Sequence, residues 1–432
     1  MLEISERKKI ISLIKQEVIP AIGCTEPIAV ALCVARATEL LGSMPQKIEA
    51  RLSANILKNA MGVGIPGTGM IGLPIAIALG ASIGKSSYQL EVLKDCTPEA
   101  VQQGKDYIAT GAIDIKLKEN ISEKLYIEIT VTDAEGSTAT AVIAGGHTCF
   151  VYLCQNGNVI LDQRTCTQKQ EDVAAPQLTL AKVYEFATTT PIDELRFILE
   201  SKNLNKAAAE QSLNGHYGHE LGRIIRNSAT EKRVLGDNTF AHIISYTSAA
   251  CDARMAGAMI PVMSNSGSGN QGITATMPVV VYAEDNHCSE EQLIRALTLS
   301  HLTVIYIKQS LGRLSALCGC VVAASGSSCG ITYLMGGEYQ QICYAVKNMI
   351  ANITGMVCDG AKPSCALKVT SGVSTAVLSA ILAMEGQYVS SVEGIIDNDV
   401  DQCIHNLTQI GREAMNETDA LVLNIMTHKS NK

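Results

Sequence analysis

The spacing of hydrophobic positions changes twice along this chain. Apolar residues recur with helical spacing over residues 5–42, with an interruption at Pro20 and Gly23. Between about residues 107 and 161, apolar and polar residues alternate instead, as they do in strands with one buried face. Helical spacing returns beyond residue 176. The pattern predicts an α+β fold in which an antiparallel β-sheet is flanked by helices.

Two domains are expected, because 432 residues are more than one small core requires. The first, residues 1–175, would contain the antiparallel sheet, with its strands mainly in 107–161, and the flanking helices. The second, residues 176–432, would be all-helical. We place the boundary in the polar segment 163–177, which ends in Ala174-Ala175-Pro176.

Charge and hydropathy exclude two classes of partner. The formal net charge is −8 and no stripe of Lys or Arg is present, so nucleic acid is not an expected partner. The most apolar stretches are broken by Gly, Ser, Asn or Pro before about 18 residues, so no membrane span is expected. The first residues do not have the pattern of a signal peptide, and we expect a cytoplasmic protein.

Small residues are frequent and large aromatic residues are rare. The chain has 35 Gly and no Trp, and only four Phe. This composition favours helices that pack closely through small residues. Such helices are compatible with a homodimer, although the sequence does not fix the oligomeric state.

Fifteen cysteines are many for a chain that we expect in a reducing cytosol, where disulfides are rare. Most should be small buried hydrophobic residues. Four fit that interpretation, since their neighbours are apolar or helix-forming: Cys33, Cys251, Cys343 and Cys403.

Three cysteines in the predicted helical domain stand apart by their position. Cys358 and Cys365 are seven residues apart, and Cys318 lies 40 residues upstream of Cys358. Three thiolates can hold an iron–sulfur cluster with one iron left without a protein ligand, and such an iron is a Lewis acid. Pro363 suits the first position of a helix, which would place Cys365 in the first turn, where peptide dipoles favour anionic groups. The predicted helical domain would then carry an iron–sulfur site.

Spacing alone leaves other interpretations of these cysteines open. All of them could be core residues, because a seven-residue separation can arise by chance among fifteen cysteines. Cys320 and Cys329 are competing ligands, and Cys320 could replace Cys318. A structural zinc site is a further alternative, although the sequence has no CxxC pair to support it.

A fourth cysteine lies between two predicted helices, in Gly23-Cys24-Thr25-Glu26-Pro27. It immediately precedes the N-terminus of the second helix. Backbone N–H groups and the helix dipole favour a thiolate at this position. Cys24 and the neighbouring carboxylate of Glu26 are therefore candidate catalytic residues.

Two segments could hold a substrate. The polar, glycine-rich loop 264–272 offers hydrogen-bond donors to a small anion such as a carboxylate. A flexible linker is the alternative, but strongly apolar flanks favour a rigid loop. Lys58-Asn59 could also contact a substrate, although a surface lysine is an equally good interpretation. The candidate contacts in the loop are Ser266, Ser268, Asn270 and Gln271.

Taken together, these motifs resemble the L-cysteine desulfidase family, which is related to the iron–sulfur L-serine dehydratases. The resemblance rests on 23–27, 55–69, 264–272 and the three cysteines, and it covers residues from about 10 to 425. It implies an oxygen-sensitive [4Fe–4S] lyase that acts on a small amino acid without pyridoxal phosphate. L-Cysteine would be broken down to pyruvate, ammonia and sulfide.

The resemblance also implies residue roles. Cys318, Cys358 and Cys365 would be the cluster ligands, and Cys24 would be the thiolate base or a displaceable fourth ligand. The Ser266–Gln271 loop would hold the substrate carboxylate. In dehydratase relatives a cysteine at the extreme C-terminus can be the fourth ligand, but residues 427–432 contain none.

Other functions remain open at this stage. L-Serine could replace L-cysteine, since only the leaving group differs. A cluster-based redox or metal sensor would need a partner-binding surface, which the acidic composition does not indicate. A metal-free protein that binds small amino acids would have buried cysteines only.

Overall fold

The computed structural model describes residues 2–121, 123–164, 176–227, 234–312 and 314–428. Most of the polar segment in which we place the domain boundary lies outside these described residues. The same holds for residues 429–432, on which the argument about a C-terminal cysteine partly depends.

The first part of the chain contains the whole six-stranded main sheet and the helices that cover it. In chain order its elements are α1 (Ile4–Glu17), β1 (Pro20–Ile22), α2 (Thr25–Leu41), β2 (Lys47–Leu52), α3 (Ala54–Ala60), α4 (Leu73–Ser82), α5 (Pro98–Ala109), β3 (Ile113–Leu117), β4 (Tyr126–Thr132), β5 (Thr138–Ala144), β6 (Phe150–Gln155) and β7 (Asn158–Asp162).

The second part is dominated by helices. Its elements are α6 (Leu180–Thr189), α7 (Ile192–Leu195), α8 (Leu199–Leu213), α9 (Leu221–Asn227), α10 (Thr239–Met255), β8 (Pro261–Met263), α11 (Gly269–Asp285), α12 (Glu290–Leu311), α13 (Gly319–Leu334), α14 (Tyr339–Ile353), α15 (Cys365–Met384), α16 (Val400–Gln409) and α17 (Asn416–Thr427). The prediction of an all-helical second part is wrong in one detail, because β8 is a short strand that pairs with β1.

The main sheet is mixed, so the prediction of a purely antiparallel sheet is also wrong. Its strand order is β3-β2-β4-β5-β6-β7, and β2 pairs with β3 in parallel while the other neighbours are antiparallel. Alternation of apolar residues cannot distinguish the two directions. The helices α3, α4 and α5 lie between β2 and β3, and a connection of that length allows a strand to return in the same direction.

Alternation in the strands places one apolar face against a buried helix. In β4, Ile127, Ile129 and Val131 are fully buried, whereas the residues between them are partly exposed. Helix α2 packs on β4, β5 and α4, and its Cys33 is fully buried there with its thiol donating to the Ala141 carbonyl at 3.3 Å. The interpretation of Cys33 as a core residue is confirmed.

Small residues allow close packing of the helices in the second part, as the composition predicts. A side chain at Gly326 of α13 would lie 2.5 Å from the Ser300 carbonyl of α12, so these helices approach through backbone. Ser289 and Gln292 form a capping box at the start of α12. The resulting core buries many aliphatic side chains.

Each end of the chain packs against the part to which it does not belong in sequence. Ile10 and Ile14 of α1 are buried in the core of the helical part, and β1 pairs with β8. At the other end, Leu423 of α17 is buried in the core on the sheet side. The start of α2, the helix α3 and the C-terminal helix α17 therefore lie where the two parts meet.

One helix in the described part of the chain, α15, is long and apolar enough to cross a membrane by length and composition. Half of its most apolar window is buried within the protein. It packs against α10, α13 and α14, and this packing accounts for its apolar sequence.

Candidate active site

A β-bridge brings Cys318 and Cys358 together. Leu317 pairs antiparallel with Val357; the Cys358 N–H donates to the Ala316 carbonyl at 2.7 Å, and the Cys318 N–H to the Met356 carbonyl at 2.9 Å. Each cysteine directly follows a bridged residue. Because side chains alternate between the two faces of an extended chain, both thiols project to the same side of the bridge.

The third cysteine of the set begins a helix. Cys365 is the first residue of α15, and its thiol donates to the Gly360 carbonyl at 3.6 Å. Cys318 is the N-cap of α13. Two of the three thiols therefore lie at helix N-termini, where the helix dipole stabilises negative charge.

The three thiols are electrostatic neighbours. The pKa of Cys318 is raised to about 12, mainly by burial, with smaller contributions from the Cys358 and Cys365 thiols. Burial is also the main cause that raises the pKa of Cys365, to which Cys358 contributes. Lys368, which pairs with Asp359, lowers the pKa of both Cys318 and Cys365. The structure thus brings together the three cysteines that the sequence selects.

The competing cysteines have other surroundings. Cys320 is buried between α13 and α15, where its thiol donates to the Lys368 carbonyl at 3.0 Å. A side chain at Gly372 of α15 would clash with the Cys320 sulfur, so the glycine leaves room for it. Cys329 is fully buried in the core of the helical part, beside Thr303 and Cys343.

Cys24 belongs to a hydrogen-bonded set at the start of α2. It is the N-cap residue of this helix, and its thiol donates to Glu26 Oε2 at 3.0 Å. Asn59 of α3 donates from Nδ2 to the other oxygen of that carboxylate, Oε1, at 3.0 Å. The amide thus holds Glu26 in place beside the thiol.

The protonation of Cys24 differs from the sequence-based expectation of a thiolate. Burial, together with the neighbouring Glu26 carboxylate, raises the pKa of the Cys24 thiol well above its usual value, although Arg254 lowers it. The resting group is therefore a thiol, and the carboxylate beside it is the group that can accept its proton.

Lys58 is buried, so its interpretation as a surface lysine is wrong. Its ammonium group forms an ion pair with Asp419 of α17 and also donates to the Cys358 carbonyl at 3.4 Å. Asn55 donates to the second oxygen of Asp419 at 2.7 Å. Gly360, with φ of 89°, packs on the Lys58 carbonyl so closely that a side chain there would clash. Lys58 thus supports the segment that carries Cys358.

The loop 264–272 is held by buried hydrogen bonds and is not a flexible linker. The Ser266 hydroxyl donates to Asn265 Oδ1 at 2.8 Å, and Asn265 Nδ2 lies 3.0 Å from His301 Nδ1. Burial lowers the pKa of His301 to about 3, so this ring is neutral and its Nδ1 can accept. Thr25 donates to the Gly267 carbonyl at 3.3 Å, which ties the loop to the start of α2.

The other predicted loop residues contact the start of α11 and its neighbours. Ser268 is the N-cap residue of α11. Asn270 Oδ1 accepts from Arg254 Nη1 at 3.0 Å and from the Cys251 thiol at 3.5 Å. The Gln271 side chain lies against Gly319, which follows Cys318.

Sequence comparisons identify the family of this chain. A family model described as serine dehydratase alpha chain matches residues 87–424. The chain belongs to this family. It is 75% identical to a UPF0597 protein of Phocaeicola vulgatus over 98% of both chains, and 71% identical to one of Bacteroides thetaiotaomicron over 98% of this chain and 99% of that one. A UPF0597 protein of Shewanella pealeana is 46% identical over 96% of this chain and 97% of that one.

Family membership confirms the resemblance and favours a serine dehydratase-like lyase. The relatives' names do not distinguish between cysteine and serine as the substrate. They also give no role to any residue of this chain, so the site rests on the geometry above.

The three thiols have the donor chemistry of an iron–sulfur cluster. Within the described ranges, no group of three or more His, Cys, Asp or Glu residues is arranged to hold one ion. In an iron–sulfur cluster, by contrast, each thiolate ligates a different iron atom. A set of three soft sulfur donors, two of them at helix N-termini, suits such a cluster.

Two residues of the site could not be found from the sequence. Asp419 is 361 positions from Lys58, and the C-terminal segment has no motif around it. Arg254 is 3% exposed and lies near the end of α10. The only sequence signal for Arg254 is a basic residue within a helix of small and apolar residues.

Proposed function

We propose that this protein is an iron–sulfur-dependent lyase that converts L-cysteine and water to pyruvate, ammonia and hydrogen sulfide. The proposal is supported by the proximity of Cys318, Cys358 and Cys365 and by Cys24, which lies in the same apolar cluster as Cys318 and Cys365 and is hydrogen-bonded to Glu26. A cluster and a proton-transfer group are the two components that this β-elimination needs.

Cys318, Cys358 and Cys365 would hold a [4Fe–4S] cluster, and no pyridoxal phosphate is required. When bound, such a cluster supplies a Lewis-acidic iron without a protein ligand, which eases departure of the β-substituent. Lys58 and Asp419 would keep the Cys358 segment in position. A reducing cytoplasm suits these thiols.

The proton transfers are assigned to Cys24 and Glu26. Glu26 takes the thiol proton of Cys24, and the resulting thiolate removes the α-proton of the substrate, which must lie within hydrogen-bond reach. The β-sulfur leaves as hydrosulfide and receives the proton held by Glu26. The remaining aminoacrylate tautomerises and hydrolyses to pyruvate and ammonia.

L-Serine is the second candidate substrate, because the matching family model is described as a serine dehydratase. The same proton transfers apply, and hydroxide leaves in place of hydrosulfide. This family membership also favours a lyase over a cluster-based sensor or a metal-free binding protein.

The test is anaerobic reconstitution with iron and sulfide, followed by iron and sulfide analysis and assays of both substrates. We expect a bound cluster, with pyruvate and sulfide formed from L-cysteine. Cys358→Ser should lose cluster and turnover, whereas replacement of the exposed Cys149 by Ser should change neither. A reconstituted protein that forms pyruvate from neither amino acid contradicts the proposal, and pyruvate from L-serine alone selects the second candidate.

A further inference from the structure

Arg254 is a buried cation. It is 3% exposed, and among the residues that the structure describes no carboxylate forms an ion pair with it. One of its nitrogens, Nη1, donates to Asn270 Oδ1 at 3.0 Å, while Nε is buried without any hydrogen-bond partner. Its position in the last turn of α10, where the helix dipole favours a cation, compensates only part of the cost of burying this charge.

Arg254 lies beside the candidate active site. Its charge lowers the pKa of the Cys24 thiol, and also that of the Cys251 thiol in the same helix turn. Cys251 in turn is an electrostatic neighbour of Cys365. The guanidinium is therefore an electrostatic neighbour of the proposed proton-transfer group, and Asn270 Oδ1 joins it to the Cys251 thiol by accepting from both.

The surroundings of Arg254 fix the orientation of its guanidinium group. Asn270, which follows Gly269 at the start of α11, accepts from Nη1. A side chain at Gly269 would clash with Arg254 Nε, so the absence of one leaves the space that the guanidinium occupies. A planar group held in this way is suited to recognise a carboxylate with two parallel hydrogen bonds.

Nearby acceptors complement this cation. Asn59 donates from Nδ2 to the Glu26 carboxylate, which can only accept, so the amide orientation is determined. Its Oδ1 is buried without a partner and can accept a hydrogen bond. The Ser266 hydroxyl proton is already used by Asn265, which leaves oxygen lone pairs. These acceptors suit an ammonium group better than a carboxylate.

We infer that Arg254 binds the α-carboxylate of the substrate, while Asn59 Oδ1 accepts from its α-ammonium group. The identity of the ligand as an α-amino acid rests on the proposed function. This assignment places the substrate carboxylate at Arg254 of α10, whereas the sequence suggested the side chains of the loop 264–272. Asn270 of that loop would instead hold the guanidinium in position.

The test compares two thiol probes that each lack one charged group. 3-Mercaptopropionate has the carboxylate but no amine, and cysteamine has the amine but no carboxylate. Binding of both is measured by calorimetry, to protein with the cluster and to protein prepared without iron. Arg254→Gln should weaken the binding of 3-mercaptopropionate by about 30-fold or more and the binding of cysteamine by less than about threefold. The reason is that only 3-mercaptopropionate loses a buried ionic partner.

Three further variants separate a binding role from a structural one. Arg254→Lys should restore part of the 3-mercaptopropionate affinity, because it keeps the charge but not the planar pair of donors. Gly269→Ala keeps the arginine but displaces its guanidinium, so it should weaken the binding of 3-mercaptopropionate. This variant provides the test if Arg254→Gln does not fold. Arg295→Gln removes a largely buried guanidinium that holds the Ala187 and Thr190 carbonyls, and it should change neither affinity.

The inference is overturned if wild-type protein does not bind 3-mercaptopropionate, or if folded Arg254→Gln or Gly269→Ala binds it with wild-type affinity. Arginine-dependent binding in a protein that forms no pyruvate would support the carboxylate site while refuting the lyase. If Arg254→Gln keeps lyase activity with an unchanged KM for the amino acid, the lyase is supported and the carboxylate site at Arg254 is refuted.

Discussion

At the scale of single residues, burial dominates the chemistry of Cys24. A helix N-terminus stabilises an anion by about 0.3–1 kcal/mol, which corresponds to less than one pKa unit. Full burial can shift a pKa by about 3–5 units in the opposite direction. Cys24 is 2% exposed, and the direction of its pKa shift follows burial. The dipole alone therefore does not ionise the thiol, and the proposed mechanism transfers its proton to the Glu26 carboxylate, which accepts a hydrogen bond from it.

Replacement of Cys24 by Ser should leave the cluster in place and remove the proton-transfer group. We expect the visible absorption of the reconstituted protein to be unchanged and kcat to fall by about 100-fold or more, since a hydroxyl is a much weaker acid than a thiol. The control is Cys403→Ser, because Cys403 is buried in the helical core and donates to the Asp397 and Asp399 carbonyls, as a hydroxyl can. Full activity of Cys24→Ser would show that another group removes the proton.

At the scale of elements, the C-terminal helix supports the cysteine segment from a distance. Helix α17 carries Asp419 to Lys58 of α3, and Lys58 contacts the Cys358 carbonyl. The two side chains are 2% and 12% exposed, so each charge depends on the other. Loss of one partner leaves the other charge buried and unpaired, which is more costly than loss of both.

Asp419→Ala should lower the free energy of unfolding by about 3–5 kcal/mol and reduce the iron bound after reconstitution. Denaturant unfolding and iron analysis measure the two effects. The double variant Lys58→Met/Asp419→Leu removes both charges, so it should recover much of the stability. If the double variant is no more stable than Asp419→Ala, the ion pair is not the source of the loss.

At the scale of the whole molecule, cysteine thiols are buried both in the core of the helical part and in the core beside the sheet. Burial raises the pKa of Cys329 to about 12 and that of Cys33 above its usual value as well. Each of these groups stays protonated in the folded protein at a pH where it ionises in the unfolded chain. Stability is therefore complete below the unfolded pKa of about 9 and is lost as pH rises toward the folded values.

The free energy of unfolding should fall as pH is raised from 8 to about 10.5. Cys329→Val removes one buried thiol, so its stability should decrease less steeply, by up to about 1.4 kcal/mol per pH unit above pH 9. Urea unfolding of wild type and variant at several pH values measures the difference. Parallel curves for the two proteins would show that Cys329 ionises alike in both states.

The sequence by itself determined most helices and strands, because periodicity and turn residues are local properties of the chain. It also singled out Cys318, Cys358 and Cys365 as candidates, and the family resemblance implied their role as ligands. It also indicated that the loop 264–272 is rigid, from the apolar residues on both sides. These predictions needed no knowledge of which distant segments meet.

Only the tertiary structure decided what depends on distant segments. The parallel pairing of β2 with β3 follows from the course of the connecting helices, since the alternation is the same for either direction. The partner of Lys58 comes from the last helix, and the thiol form of Cys24 comes from burial by several elements. Arg254 stands out only because, among the residues that the structure describes, no carboxylate forms an ion pair with it, and the pairing of a charge is a property of the folded molecule.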